Sequence, residues 1–128
     1  MGTKPSRKKG GKRNPWKKLL KRVELCGSAT ANRSRVKEVT ITEKDLEKQF
    51  SKQNNNCYWL GIPIDIYDVY TTNNPFGPSV DRLDNNKDYH KDNIVICTML
   101  ANMGRGRCDS EKFRKVVEKL KDEIQKTH

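Results

Sequence analysis

The sequence predicts a small α+β fold. Segments 15–27 and 42–52, and the chain from residue 110 onward, carry apolar side chains at helical spacing. Segments 80–83 and 94–97, the second of them the apolar run IVIC, are predicted to be two short strands separated by a polar loop. With 128 residues the chain has the size of one modest domain and needs no disulfide to hold a core.

The first predicted helix begins with a capping signal. Asn14 is a favourable N-cap residue and Pro15 suits the first helical position. The helix is expected to end near Gly27 and to be apolar on one side and basic on the other. Its apolar side is predicted to pack on the core through Trp16, Leu19, Leu20 and Val23.

The second predicted helix carries a capping box. Thr42 is the expected N-cap, Asp45 stands three residues further on, and Ile41 is placed to pack against Leu46. We expect this helix to run to about Lys52, where the residues QNNN break it.

The middle of the chain is expected to be short elements and loops. The stretch CYWLGIPID, residues 57–65, predicts an extended or looped piece with a buried Trp59, and residues 68–79 a turn-rich loop. A short helix from about Thr98 to Met103 should follow the second strand. Asp109 or Ser110 then caps a final helix, whose apolar stripe is predicted to be core: Phe113, Val116, Val117, Leu120 and Ile124.

The positive charge lies almost wholly in the first third of the chain. Residues 1–37 hold thirteen Lys or Arg and one Glu, whereas residues 38–128 hold fourteen and fifteen acidic residues. Lysines and arginines that neutralise phosphates release counterions, so nucleic acid is the favoured partner. A solubilising arm and a membrane-surface helix are the alternatives. We divide the chain into a disordered basic arm (1–13), a basic helix and connection (14–40) and a domain (41–128).

The sequence gives no sign of membrane insertion or secretion. It has no apolar run of membrane-spanning length and no hydrophobic segment after its N-terminal charges, which predicts a cytoplasmic, nucleoid-associated protein. The four cysteines are widely spaced without a CxxC pair, so free thiols are expected, not disulfides or a zinc ribbon.

The stretch PSVDRLDNNKDYHKDNIVICTMLANMGR, residues 78–105, resembles the ββα-metal motif of HNH (His-Me finger) endonucleases. It is most similar to free-standing phage and intron-associated members, and the resemblance extends over roughly residues 14–108. It implies a homing or mobile-element nuclease that cuts or nicks double-stranded DNA. No obligate protein partner is evident.

The resemblance assigns a metal pair. Asp81 and Asn102 would hold one divalent ion, and Asn93 would tie the hairpin loop together through backbone hydrogen bonds. A carboxylate and an amide carbonyl are hard oxygen ligands, which suit Mg²⁺ or Mn²⁺. The alternative is that Asp81 and Asn102 are only a turn residue and a helix cap.

Many relatives also carry a zinc knuckle of two CxxC pairs. The corresponding positions here are Cys57, Leu60, Thr98 and Ala101, so three ligands are missing and no structural zinc is expected. Packing by Trp59, Ile62 and Leu100 is predicted to replace it.

Arg82 stands where relatives keep the histidine that takes a proton from the attacking water, and arginine cannot do so because it stays protonated. Three alternatives are open: His90 reaches the site from the loop, Asp84 acts as base or metal ligand from the same side of the strand as Arg82, or the site is inactive. In an active enzyme Arg82 would clamp the scissile phosphate.

The predicted DNA contacts are the basic side chains of the arm, the first helix, the connection and the end of the motif. They are Lys8, Lys9, Lys12, Arg13, Lys17, Lys18, Lys21, Arg33, Arg35, Arg105 and Arg107. The alternative function is a noncatalytic DNA- or RNA-binding protein on the same scaffold, with Arg82 as the mark of lost activity.

Overall fold

A computed structural model describes residues 13–27 and 38–126. Residues 1–12 of the predicted arm and residues 28–37 of the connection lie outside these ranges, and with them Lys8, Lys9, Lys12, Arg33 and Arg35. Within them the chain is a mixture of helices and strands, as predicted. The elements are α1 (Pro15–Gly27), α2 (Glu43–Lys52), a 3₁₀ helix (Ile66–Tyr70), β1 (Pro78–Arg82), a 3₁₀ turn (Lys91–Asn93), β2 (Ile94–Thr98), α3 (Met99–Arg105) and α4 (Ser110–Lys126).

Helix α1 begins at the predicted cap. The side-chain Oδ1 of Asn14 accepts from the backbone N–H groups of Trp16 (3.1 Å) and Lys17 (3.2 Å), which satisfies two of the free donors at a helix start. Leu19 and Val23 are buried in the core. The rest of α1 therefore turns its basic side chains outward.

Helix α2 has the predicted capping box. Asp45 N donates to Thr42 Oγ1 at 3.2 Å, and Thr42 N donates to Asp45 Oδ2 at 2.9 Å. The helix ends at Lys52, as expected, and Asn54 and Asn55 then take positive φ values of 55° and 61°. Asparagine tolerates this left-handed conformation, so the QNNN stretch stops the helix.

Strands β1 and β2 form an antiparallel hairpin, the sheet of the described chain. Pro78 pairs with Thr98 and Asp81 with Val95. Strand β1 begins two residues earlier than predicted and ends one residue earlier, at Arg82. All five residues of β2 are buried, so this strand lies inside the core.

On the edge of β2 that faces away from β1, the backbone groups of Ile96 bond to a side chain. Ile96 N donates to Gln53 Oε1 at 2.9 Å, and Gln53 Nε2 donates to Ile96 O at 2.7 Å. Tyr58 N also donates to Ile96 O at 3.0 Å. The end of α2 and the stretch that contains Trp59 therefore close this edge of β2 against pairing with another strand.

Helix α4 is packed only at its beginning. Lys112 N donates to Asp109 Oδ1 at 2.7 Å, so Asp109 caps the helix, and Phe113 and Val117 are buried. The rest of the predicted core stripe is not core, because Val116, Leu120 and Ile124 are 45%, 52% and 51% exposed. The helix extends beyond the elements that cover its first two turns.

Within the described ranges, no helix combines the length and apolar character needed to cross a membrane.

Candidate active site

The candidate site lies where helix α3 packs on the hairpin. Ser79 and Asp81 are two residues apart on β1, so they face the same side. Asn102 and Arg105 are three residues apart on α3 and share one helix face. Asn102 Nδ2 donates to Ser79 Oγ at 2.6 Å, and Arg105 Nη1 donates to Asp81 Oδ2 at 2.8 Å. The two predicted metal ligands, Asp81 and Asn102, therefore belong to one strand–helix contact.

Arg105 is an internal residue, only 2% exposed. All five of its N–H groups donate to protein oxygens. In order from Nε to Nη2, the acceptors are Cys108 O, Asp81 Oδ2, Arg82 O, Leu83 O and Ser110 Oγ. Arg105 is therefore not available to a DNA phosphate, unlike the exposed residue that the sequence predicted. It instead joins α3, the end of β1 and the start of α4.

Asp81 is buried at 8% exposure, and both of its carboxylate oxygens accept hydrogen bonds from the chain. Its Oδ2 accepts from Trp59 Nε1 (2.9 Å) and from Arg105, and its Oδ1 accepts from Arg82 N (2.8 Å). The Trp59 ring also lies beneath the Arg105 guanidinium, 5.1 Å from centroid to Cζ. The predicted burial of Trp59 is thus explained by a polar contact as well as by its apolar ring.

Asn93 fixes the loop between the strands. Its Oδ1 accepts from Asp84 N at 2.8 Å, while its Nδ2 donates to Asp84 O at 3.1 Å and to Asp88 O at 3.0 Å. These are backbone hydrogen bonds of the kind expected for this asparagine. Its placement among the catalytic residues stays a prediction.

Arg82 points into the same loop. Its Nη1 donates to Asn85 O (2.9 Å) and Lys87 O (3.0 Å), and its guanidinium lies 5.4 Å from the centroid of the Tyr89 ring. The side chain is partly exposed. A phosphate would have to be met by the other edge of the guanidinium, formed by Nε and Nη2.

The two candidate bases lie apart from the strand. Asp84 follows β1 and is not part of it, so the expectation that it shares a strand face with Arg82 does not hold. Its Oδ1 accepts from Asn86 N at 2.9 Å within a turn. His90 contacts residues 38–40: its Nδ1 is 2.9 Å from Thr40 Oγ1 and its Nε2 is 3.8 Å from Glu38 Oε1. Its side chain is 42% exposed.

Three of the four positions compared above with a zinc knuckle, Cys57, Leu60 and Thr98, are joined by hydrogen bonds to one sulfur. Leu60 N and Thr98 N approach Cys57 Sγ at 3.4 Å and 3.3 Å, and Thr98 Oγ1 lies 3.8 Å from it. Thr98 also caps α3 by accepting from Ala101 N. A network of backbone N–H groups around one thiol thus connects the four positions. Leu100 does not take part in this packing, since it is 51% exposed.

Three cysteines are described and all are free: Cys57, Cys97 and Cys108. Burial, followed by the nearby carboxylate of Asp81, raises the pKa of the Cys97 thiol well above its usual value. Cys97 is therefore a neutral core residue and not a nucleophile.

Four of the described residues that were predicted to contact DNA form an exposed surface at the beginning of α1. Arg13, Lys17, Lys18 and Lys21 are exposed there, and Arg13 lies over the Tyr70 ring at 4.6 Å. They line a shallow concavity of about 410 Å³ together with Arg22 and Tyr70. Arg107 is exposed after α3.

The donor atoms of Asp81 and Asn102 fit a hard divalent ion in kind. Asp81 Oδ1 accepts a single hydrogen bond, and Asn102 uses its Nδ2 for Ser79, so each side chain keeps an oxygen lone pair. The charge is already balanced, however, because Arg105 is paired with Asp81. The described residues also contain no group of three or more His, Cys, Asp or Glu placed to hold a metal. Further negative charge would have to come from a phosphate.

The comparisons with known proteins do not add to this picture. The chain matches no protein-family model, no curated protein and no solved structure at a significant level. Arguments about its function therefore rest on the site itself.

Two contacts of the site could not be read from the sequence. Gln53 and Arg105 are polar residues that would ordinarily be placed at the surface. Their buried partners, Ile96 and Asp81, are 43 and 24 residues away in the chain. The one sequence signal was the position of Arg105, one helical turn after Asn102.

We expect Arg105→Met to lower the free energy of unfolding by about 3–5 kcal/mol, because it leaves the buried Asp81 carboxylate without its counter-charge. Urea denaturation would measure the change. Arg107→Met is the control, since Arg107 is exposed and its replacement should shift stability by less than about 0.5 kcal/mol. Equal, small effects of both changes would contradict the structural role of Arg105.

Proposed function

We propose that this chain is a metal-dependent DNA endonuclease built on an HNH-type ββα motif. The observation that carries the proposal is the packing of α3 on β1, which brings the Asn102–Ser79 and Arg105–Asp81 pairs together on one strand–helix contact. A hairpin followed by a helix, with a carboxylate on the first strand and an amide on the helix, is the arrangement that such a motif requires. The loop held by Asn93 gives the hairpin a fixed shape, which favours a site over an ordinary turn.

In this proposal Asp81 and Asn102 would hold Mg²⁺ or Mn²⁺, which would supply charge stabilisation to the reacting phosphoryl group. Arg82 contributes a fixed positive charge at the end of the hairpin. Because Arg105 already neutralises Asp81, a DNA phosphate would have to provide the further negative charge, so metal and DNA would bind together.

We assign the proton-accepting role to Asp84 and not to His90. One oxygen of Asp84 accepts from Asn86 N, which leaves Oδ2 as an acceptor on a partly exposed side chain two residues beyond Arg82. His90 is instead engaged with Thr40 and Glu38.

A second candidate function is noncatalytic binding of DNA or RNA on the same scaffold. Two observations favour it. Arg105 occupies one oxygen of the candidate metal ligand Asp81, and Arg82 cannot accept a proton. The basic surface of α1 serves either function.

Cleavage of supercoiled plasmid with Mg²⁺ or Mn²⁺ would separate these functions. We expect nicked or linear product that chelator abolishes, and we expect Asn102→Ala to reduce its rate by at least about 10²-fold, because one metal ligand is lost. Ser79→Ala is the matched control. It removes the hydrogen bond between Asn102 and Ser79 but keeps both candidate ligands, so it should remain within about threefold of the original rate.

Retarded but uncut plasmid with every metal would support the noncatalytic binder. Full activity of Asn102→Ala would show that Asn102 is not a ligand.

The assignment of the base is tested by two substitutions. Asp84→Asn keeps an oxygen that can accept from Asn86 N but removes the basic carboxylate, so we expect the cleavage rate to fall by at least about 10²-fold. His90→Ala should leave the rate within about threefold, because His90 contacts residues 38–40. Single-turnover cleavage measures both. The reverse pattern would identify His90 as the base.

The basic surface of α1 should set the salt dependence of DNA binding. Replacing Lys17, Lys18 and Lys21 with Gln should reduce the slope of log affinity against log salt by up to about 3, at roughly 0.9 per phosphate contact. Glutamine keeps helix propensity close to that of lysine. The control replaces three exposed lysines of α4, Lys115, Lys119 and Lys126, which gives the same change in net charge. Equal slopes for the two triple variants would show that α1 is not a specific contact.

A further inference from the structure

A groove of about 930 Å³ lies between α1 and α3, next to the candidate site. It reaches Ser79 and Asn102 on one side and the loop 71–75 on the other. Its volume falls in the range of sites that hold small molecules. We call it the α1–α3 groove, and none of the roles described above requires it.

The walls of the α1–α3 groove are mainly apolar. Met103 and Leu100 of α3 are 75% and 51% exposed, although both are large apolar side chains. Leu19 and Val23 of α1 form the opposite wall. Exposed apolar side chains grouped beside a concavity mark a binding surface, and methionine adapts its shape to what it contacts.

The charge around the groove selects a polyanion as the occupant. Arg22 lines both the α1–α3 groove and the neighbouring concavity on α1, and one of its Nη2 hydrogens bonds to Val69 O. The groove itself contains Asp68, whereas the concavity is lined by Arg13, Lys17, Lys18 and Lys21 without an acidic residue, so the cations lie beside the groove. A ligand that follows this surface meets a row of cations and then an apolar slot. Phosphates attached to a flat apolar body have this chemistry.

The polar groups of the groove favour a nucleobase over a lipid chain. Thr72, Asn73 and Asn74 line it, and the hydroxyl of Thr72, the amide of Asn73 and the Nδ2 of Asn74 can hydrogen-bond to the edge of a base. Ser79 and Asn102 also line it but bond to each other, and Oδ1 of Asn74 accepts from Phe76 N. A lipid tail would leave these groups without partners, at a cost in free energy.

We propose that the α1–α3 groove takes an unpaired nucleotide, with its base between Met103 and α1 and its phosphates on the basic surface of α1. This deepens the proposed function, on whose nucleic-acid binding it rests, because it makes the preferred substrate a strand with an unpaired base next to the candidate site. Stacking of an exposed base on an aromatic side chain changes affinity by about tenfold or more, and we take tenfold as the effect expected of the apolar contact with Met103.

The test measures binding in the presence of chelator, so that cleavage plays no part. Fluorescence anisotropy compares two labelled duplexes that differ by one unpaired nucleotide. We expect about tenfold tighter binding of the duplex with the unpaired nucleotide. Met103→Ser should remove this preference and leave the affinity for the paired duplex within about twofold. Leu120→Ser is the control for Met103→Ser. It also replaces an exposed apolar side chain with serine, but Leu120 lies on α4 and does not line the groove.

A second variant guards against misfolding. Gly104 lines the groove, and a Cβ added to it would meet no atom within 4 Å, so alanine is accommodated there and a larger side chain begins in open space. Gly104→Phe should fill the groove and remove the preference, whereas Gly104→Ala should keep it. Thermal unfolding of the four variants would verify that they are folded.

The outcomes separate this proposal from the proposed function. Equal affinity of the original protein for both duplexes, or a preference that survives in Met103→Ser and Gly104→Phe, would overturn the groove as a nucleotide site, even if plasmid is cleaved. Tight binding to vesicles of anionic lipid that depends on Met103, without a preference between the duplexes, would replace it with a membrane surface. Absence of any nucleic-acid binding would overturn both proposals.

Discussion

The buried ion pair between Arg105 and Asp81 determines the shape of the candidate site. A carboxylate taken out of water needs a counter-charge and donors for its lone pairs, and a guanidinium needs acceptors for five N–H groups. Asp81 obtains Arg105, Trp59 Nε1 and a backbone N–H, while Arg105 obtains carbonyls from the end of β1 and from the chain that leads into α4. The positions of the strand, of α3 and of α4 are all fixed by satisfying one pair of charges.

The same pair limits what the site could do with a metal. Bound to Arg105, Asp81 brings almost no net negative charge, so a dication would gain little from approaching the protein alone. In the proposed function a phosphate would supply the missing charge. Metal and nucleic acid would then be mutually dependent ligands, with a free energy of coupling between them.

Local signals in the sequence predicted the local structure, and they did not predict the contacts made across the chain. The caps at Asn14 and Thr42 depend on residues within three positions of one another, so they could be read directly. Each strand could be read from its own segment, although the paired residues stand 12 to 20 positions apart. Asn93 belongs to the same class, because its partners lie five and nine residues away. The role of Arg105 depends on tertiary packing, which periodicity does not encode.

Helix α4 shows the limit of periodicity most clearly. A helical stripe identifies the side of a helix that is apolar, but its burial depends on how far the neighbouring elements extend. Phe113 and Val117 face Trp59 and the core, whereas Leu120 and Ile124 lie beyond it.

The α1–α3 groove is the complementary case. There Leu100 and Met103 are exposed in a seven-residue helix that must keep Asn102 and Arg105 turned toward the strand. One face of α3 makes the polar contacts with the strand, so the apolar side chains of α3 lie on another face, at the rim of the groove. The geometry of the candidate site therefore creates the apolar surface beside that site.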